Sequence, residues 1–271
     1  TGCFAELEPE QVEAMPGVDL VISNLRKETL VQTIEDNVDQ LVMPDAATEP
    51  HAEALFHAHR TRAFIKVQDG CRNQCTFCIV TVARGQERSR TIPDVVTEVQ
   101  DLARRGYQEV VVTGVHIGGY GHDIGVNLRQ LIESLLEQTE IPRIRIGSLE
   151  PWNLPDGFFK LWGQSPRLCP HFHLPLQSGS DAVLKRMARH CTVDEYKALV
   201  AAARENISNV NITTDLIVGF PGETDDEFLQ STKTILDVQF GDMHIFSYSR
   251  REGTPAARLR NHLPKAIKKA R

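Results

Sequence analysis

From residue 62 onward the chain repeats one alternation: a short apolar run, then a stretch with helical periodicity. The runs are "AFIKV" (63–67), "EVVVTGV" (109–115), "RIRIGSLE" (143–150), "HFHLPLQ" (171–177), "NITTDLIVGF" (211–220) and "MHIFSY" (243–248). Val95, Val96, Val99, Leu102 and Ala103 follow one helical stripe; so do Leu128, Leu131, Ile132, Leu135 and Leu136, and Tyr196, Leu199, Val200 and Ala203. Thr192 with Glu195 and Thr224 with Glu227 have capping-box spacing, and Pro93 suits the first turn of a helix. Strands separated by helices pair in parallel, through right-handed crossovers. Each run is followed by loop chemistry of its own: "QDGC", "TGVHIGGYG", "SLEPW", "LQSGS", "GFPGET" and "SYSRREGTP". Such loops gather at the C-terminal ends of parallel strands, where α/β folds carry function. Six of them on one face suit an incomplete (β/α)6 barrel better than a doubly wound sheet.

The flanks read differently. "GVDLVIS" (17–23) has the composition of a strand and "RKETLVQTI" (26–34) that of a helix, so residues 1–35 read as the end of an upstream α/β domain. The chain opens on Thr1, which suggests a start inside a longer protein. Residues 36–60 read as a linker, and His51, His57 and His59 as solvated, since they have no partners at fixed spacing. No apolar run has membrane-spanning length. The net charge of −6 argues against nucleic-acid binding through the overall field. Yet eight Lys or Arg stand between Arg250 and Arg271 against the single acid Glu252, either a solvated basic helix or an RNA-facing tail.

"DGCRNQCTFC" (69–78) sets Cys71, Cys75 and Cys78 together; the remaining cysteines are Cys3, Cys169 and Cys191. Half of the cysteines in so short a stretch would leave most of the chain unstapled by disulfides, and the pattern reads better as metal binding or redox chemistry. Three readings compete. A buried helical stripe fits the spacing, but Gly70 and Gly85 flank the segment and Asn73 and Gln74 do nothing for a core. Structural zinc wants four closed ligands, commonly two pairs, and no second CxxC exists. A 4Fe–4S cluster normally takes four thiolates, so three leave one iron for a non-protein ligand, as suits a catalytic cluster. Cys169 and Cys191 read as packing residues.

The CxxxCxxC spacing after the first strand, with the aromatic in "CTFC", resembles the radical S-adenosylmethionine (SAM) superfamily. Within it, "GCRNQCTFCIVTVARG", "HLPLQSGSDAVLKRMAR" (173–189), "TDLIVGFPGET" (214–224), "YSRREGTPAA" (248–257) and the opening "TGCFAE" resemble the methylthiotransferases. "TGVHIGGYG" with "SLEP" looks most like the subgroup acting on threonylcarbamoyladenosine beside the tRNA anticodon. Thr81 stands where that branch usually has proline.

The resemblance implies a radical-SAM barrel over 61–255, a linker over 36–60, the end of an N-terminal methylthiotransferase domain over 1–35, and a basic tail over 256–271 leading to an RNA-binding domain. It implies that Cys71, Cys75 and Cys78 hold a catalytic 4Fe–4S cluster whose open iron chelates SAM. Cys3 would be one ligand of an auxiliary 4Fe–4S cluster whose two other ligands lie outside this sequence. The implied reaction abstracts hydrogen from C2 of the target adenine and adds a methylthio group, with tRNA and an electron donor such as a flavodoxin or ferredoxin as partners and the cytoplasm as setting. Gly118 and Gly119 would meet the SAM amino group through their backbone, and Gly219 and Pro221 would wall the cofactor. Glu150, at a strand end, could accept ribose hydroxyls. Gln177 and Ser178 could contact SAM or cap a helix, and Arg189 could pair with the SAM carboxylate. Arg84, Arg88 and Arg90 are candidate phosphate contacts. Isopentenyladenosine in tRNA and a ribosomal-protein aspartate are alternative substrates, and a non-enzymatic zinc-binding module is the alternative of another class.

Overall fold

The computed structural model of the chain describes residues 1–37, 61–152 and 154–271. Most of the segment expected as a linker, with His51, His57 and His59, lies outside the described residues.

The described residues form seven strands: β1 (Arg62–Asp69), β2 (Arg88–Ser89), β3 (Glu109–Gly114), β4 (Arg143–Ile146), β5 (His171–His173), β6 (Asn211–Val218) and β7 (Asp242–Ser247). They form two ladders, β2-β1-β3-β4 and β5-β6-β7, in which every pair is parallel except the short antiparallel edge β2. Single parallel bridges, Ile144 with Leu168 and Ser148 with His173, carry the curl from β4 to β5. The six parallel strands thus make a curled barrel left open between β7 and the β1 end, as the loop chemistry implied.

The expected apolar stripes face the strands. Val95 and Val99, Leu131, Ile132 and Leu135, and Tyr196 and Ala203 are fully buried against Ile65, Val67, Val110, Val112, Ile144 and Phe172. Both anticipated capping boxes form, at Thr192 and Thr224, with a third at Asn127 and Gln130. The crossover from β4 to β5 holds a 3-10 helix, Phe158–Gly163, in place of an α-helix. Pro151, Pro155, Gly157, Gly163 and Pro166 punctuate that stretch. It packs as an aromatic cluster, with the Trp162 and Phe172 ring centroids 4.6 Å apart.

Two expected strands are shorter than their apolar runs. Pro175 removes a backbone donor inside 171–177, so β5 stops at His173 and pairing resumes only as a bridge from Gln177 to Leu216. The ladder over 143–150 likewise ends at Ile146. The strand expected over 17–23 does not form. Ile22 is buried, but no strand lies alongside it among the described residues, and an extended segment without a neighbour has no ladder. Residues 26–34 become a 3-10 helix, Asn24–Thr29, running into the helix Leu30–Asn37.

The basic tail folds back instead of standing free. Lys268 Nζ donates to the Tyr248 carbonyl at 2.9 Å, and the buried Arg271 pairs with Glu223 and Asp225. Gly219 has φ +71, and a Cβ there would lie 2.2 Å from Lys268 Cγ, so glycine is needed both for the turn and for the docking of this tail. No helix among the described residues is long and apolar enough to cross a membrane.

At the opposite end of the strands from the functional loops, Glu109 binds three arginines: Arg62 Nε at 2.8 Å, Arg145 Nε at 2.7 Å and Arg143 Nε at 3.2 Å. Burial pushes its carboxyl up. The bonds and charge of Arg145, Arg143 and Arg62 outweigh that and hold it below its ordinary 4.5. A depressed carboxylate adds stability above its unfolded-state value and loses it as pH falls through the folded-state value. Glu109→Gln should therefore cost about 1–2 kcal/mol near neutrality, the arginines being partly exposed. It should also flatten the loss of thermal stability below pH 4.5, which melting curves across the acid range will measure.

Candidate functional site

β1 delivers the chain into the cysteine loop. Gly70, at φ +77, has space for no side chain, since a Cβ would meet the Gln86 carbonyl oxygen at 1.9 Å. Asp69 Oδ1 accepts from Gly70 N at 2.9 Å and from Arg84 Nη1 at 3.1 Å. The loop is pinned along its length. Cys71 N donates to Gly85 O at 3.1 Å, Thr76 N to Met187 O at 3.0 Å, and Thr81 Oγ1 to Asn73 O at 2.8 Å. Thr81, the departure from the branch's usual proline, thus supplies a bond that proline could not.

All three thiols are half-buried and free. The Asn73 N–H points at Cys71 Sγ at 3.4 Å and the Val80 N–H at Cys78 Sγ at 3.5 Å, an arrangement that favours thiolate sulfur. Burial nevertheless pushes the Cys71 thiol up to about 11 and raises Cys78 as well. Both thiols keep their protons near neutrality until a metal displaces them.

The sulfurs line a cavity of about 190 Å³ with Glu150, Gln177, Arg189 and Asp215. A second cavity of about 410 Å³ adjoins it, shares Phe77, Cys78, Val80, Gln177 and Asp215, and extends to Phe246, Tyr248 and Arg251. Arg189 lies 4.2 Å over the Trp152 ring, with Nη2 on the Pro175 carbonyl and Nη1 3.9 Å from Cys75 Sγ. Its Nε is buried without a hydrogen-bond partner. Glu150 Oε2 is likewise buried and without a hydrogen-bond partner, 3.6 Å from His116 Nε2. Burial raises the Glu150 carboxyl, and His116 opposes that shift. Gln177 adopts φ +73, a left-handed conformation uncommon for a side-chain-bearing residue, which aims it at the cavity.

This donor set fits a 4Fe–4S cluster with one open iron. Three thiols line one wall, no other cysteine or histidine among the described residues joins them there, and a buried carboxylate and guanidinium beside them each keep an unpartnered polar atom. Unpartnered polar atoms in a cavity wall are where a polar ligand completes the bonding.

Other expected residues lie elsewhere. Gly118 packs against Glu150, where a Cβ would lie 3.6 Å from Oε2. At Gly119 a Cβ would lie 2.5 Å from His116 Nδ1, so that glycine makes room for the imidazole. Ser178 is buried, with its hydroxyl 3.2 Å from Ser231 Oγ. Gly219 and Pro221 belong to the turn on which the tail docks. Cys3 begins the helix Cys3–Leu7, which packs beside the helix Val80–Arg84. Arg84 is paired with Asp69 and Arg90 with Glu98, which leaves Arg88 exposed near the Arg84 carbonyl.

Three functional neighbours escaped the sequence reading. His116 is buried, with Nδ1 2.5 Å from Glu87 Oε1 and Nε2 3.1 Å from Asn73 Nδ2, so it braces the cysteine loop and Glu150 together. Glu87 carries no local signal. Asp215 did carry one, as a carboxylate within an otherwise apolar strand.

The radical SAM superfamily profile matches residues 65–235. The threonylcarbamoyladenosine tRNA methylthiotransferase MtaB of Bacillus subtilis is 37% identical, over 100% of this chain and 62% of that protein. The tRNA-2-methylthio-N(6)-dimethylallyladenosine synthase of Staphylococcus epidermidis is 40% identical, over 100% of this chain and 54% of that protein. The chain therefore spans 54–62% of the length of these two relatives. Among solved structures, the radical SAM methyltransferase TsrM of Kitasatospora setae, with cobalamin and a 4Fe–4S cluster bound, aligns with a TM-score of 0.60 at 18% identity, covering 72% of this chain and 38% of that one. With the matched span, the open barrel and the three thiols in agreement, the chain belongs to the radical SAM superfamily and, within it, to the methylthiotransferase branch.

Proposed function

We propose that this chain is the SAM-cleaving part of an enzyme that adds a methylthio group to C2 of threonylcarbamoyladenosine next to the tRNA anticodon. The observation that carries this reading is the thiol-lined cavity with the unpartnered Glu150 and Arg189, in a chain aligned from end to end with a relative of that name. The end-to-end match to a dimethylallyladenosine synthase supports the neighbouring substrate as the second reading.

When bound, the 4Fe–4S cluster and SAM supply one-electron cleavage of a carbon–sulfur bond and, with it, hydrogen abstraction from carbon. The chain's own residues hold and shelter that chemistry. Cys71, Cys75 and Cys78 would ligate the cluster, with the Asn73 and Val80 N–H groups bonding two of the sulfurs. Arg189, stacked on Trp152, offers its free N–H to a carboxylate. Glu150, braced by His116 and Gly118, offers its free oxygen to ribose hydroxyls or an ammonium. Gln177 stands where the two cavities meet. Phe77, Val80, Ile217 and Phe246 give that space apolar walls, which exclude water from a reactive species. We read 1–35, 36–60, 61–255 and 256–271 as the end of an N-terminal domain, a linker, the barrel and the approach to an RNA-binding domain. The same reading includes an auxiliary cluster with Cys3 as one ligand, a flavodoxin or ferredoxin as electron donor, and a cytoplasmic setting.

Mass analysis of tRNA nucleosides from cells lacking the gene tests the substrate. Loss of methylthio-threonylcarbamoyladenosine is expected; an unchanged level together with loss of the isopentenyl counterpart would move the assignment to the second reading. Cys75→Ala should abolish cluster-dependent deoxyadenosine formation while the protein stays folded by circular dichroism. Glu150→Gln should keep the cluster, seen as its absorption band, yet weaken SAM binding in equilibrium dialysis by about ten- to hundredfold, the worth of a charged hydrogen bond.

A further inference from the structure

Beyond the cysteine loop, three metal-ligating side chains converge on the inner wall of the barrel. His173 ends β5, Asp215 sits on β6 and His244 on β7. The register sets Asp215 directly beside His244 and His173 beside Thr213, one inward-facing position earlier on β6. Their donor atoms all lie within 4.8 Å of one another. His173 Nε2 is 3.2 Å from Asp215 Oδ2, and His244 Nδ1 is 3.3 Å from Asp215 Oδ1. We propose that His173, Asp215 and His244 form a second metal site, separate from the thiol-bound cluster, that takes a zinc-class divalent cation through two imidazoles and one carboxylate.

The distances accommodate a cation as well as a hydrogen-bonded trio. Charge-assisted bonds between imidazolium and carboxylate contract to about 2.7–2.9 Å. Tetrahedral zinc with bonds of about 2.0–2.1 Å holds its donor atoms about 3.3–3.4 Å apart; each imidazole nitrogen stands at about that distance from a different oxygen of Asp215, and all the donor atoms lie within 4.8 Å. The proton inventory also suits a metal. His173 Nδ1 lies 3.0 Å from Thr213 Oγ1, so the ring can carry its proton on Nδ1, donate it to the threonine hydroxyl and leave the Nε2 lone pair toward Asp215. The His244 side chain is 66% exposed, so its Nε2 can keep a proton in water while Nδ1 ligates. Two histidines and a carboxylate leave at least one coordination position open, and Asp215 also lines both central cavities, so that position faces the lumen, where water or a substrate oxygen can bind.

The test uses the full chain with its cluster installed anaerobically, so that the cluster thiols are occupied. The protein is dialysed against zinc chloride at about micromolar free zinc, and zinc and iron per chain are counted by mass spectrometry. One zinc per chain is expected in the wild type. Zinc affinity should fall at least about tenfold in His244→Ala and in Asp215→Asn, with iron content unchanged. His244 is exposed, so its substitution leaves the fold intact. X-ray absorption at the zinc edge should show nitrogen and oxygen neighbours only. No zinc on the wild type, equal zinc on both variants, or sulfur in the zinc shell would each overturn the proposal.

Discussion

Parallel strands that curl without closing impose one constraint on everything else in this molecule. Their backbone groups are satisfied within two ladders, and among the described residues the ladders meet through the single Ile144–Leu168 and Ser148–His173 bridges. That thin seam lets the sheet turn enough for Cys71, Glu150 and Gln177, each just past the end of a different strand, and Asp215, within β6, to line one cavity. A flat sheet of the same strands would spread those side chains along a row. The helices outside hold the curl by burying the faces of Val95, Leu131 and Tyr196, and Glu109 with its three arginines clamps the far end.

Inside that curl the chain keeps polar groups in places where water is scarce. Glu150, His116 and Glu87 form one line of contacts behind the cysteine loop, and Arg189 is held in front of it by Trp152 and Pro175. Buried polar atoms without partners lower stability, so a site that retains two of them beside three thiols is organised around what it binds. The same wall carries the His173–Asp215–His244 trio farther along β6 and β7.

Much of this was legible in the residues. Periodicity marked the strands and helix stripes because burial on one face leaves a direct record in the pattern. The Thr192 and Thr224 caps were legible because capping is a local bargain between neighbours in the chain. The thiol trio was legible because its spacing is short. Where expectation and structure part, the cause is distant. Residues 17–23 have strand composition but no neighbouring strand among the described residues; the turn at Gly219 also makes room for Lys268; and the basic tail, read as solvated or RNA-facing, is tied to Glu223 and Tyr248.

By itself, then, the sequence determined the element types, their parallel order, the loop face that carries function and the close grouping of three cysteines, since each depends on interactions within a few residues or on a repeating period. Only the tertiary structure decided that His116 braces Asn73 and Glu150, that Arg189 is held against Trp152 beside Cys75, and that His173, Asp215 and His244 meet. Those pairings join residues far apart in the chain, and the curl of the sheet that brings them together is set by the sum of the packing, which no local pattern records.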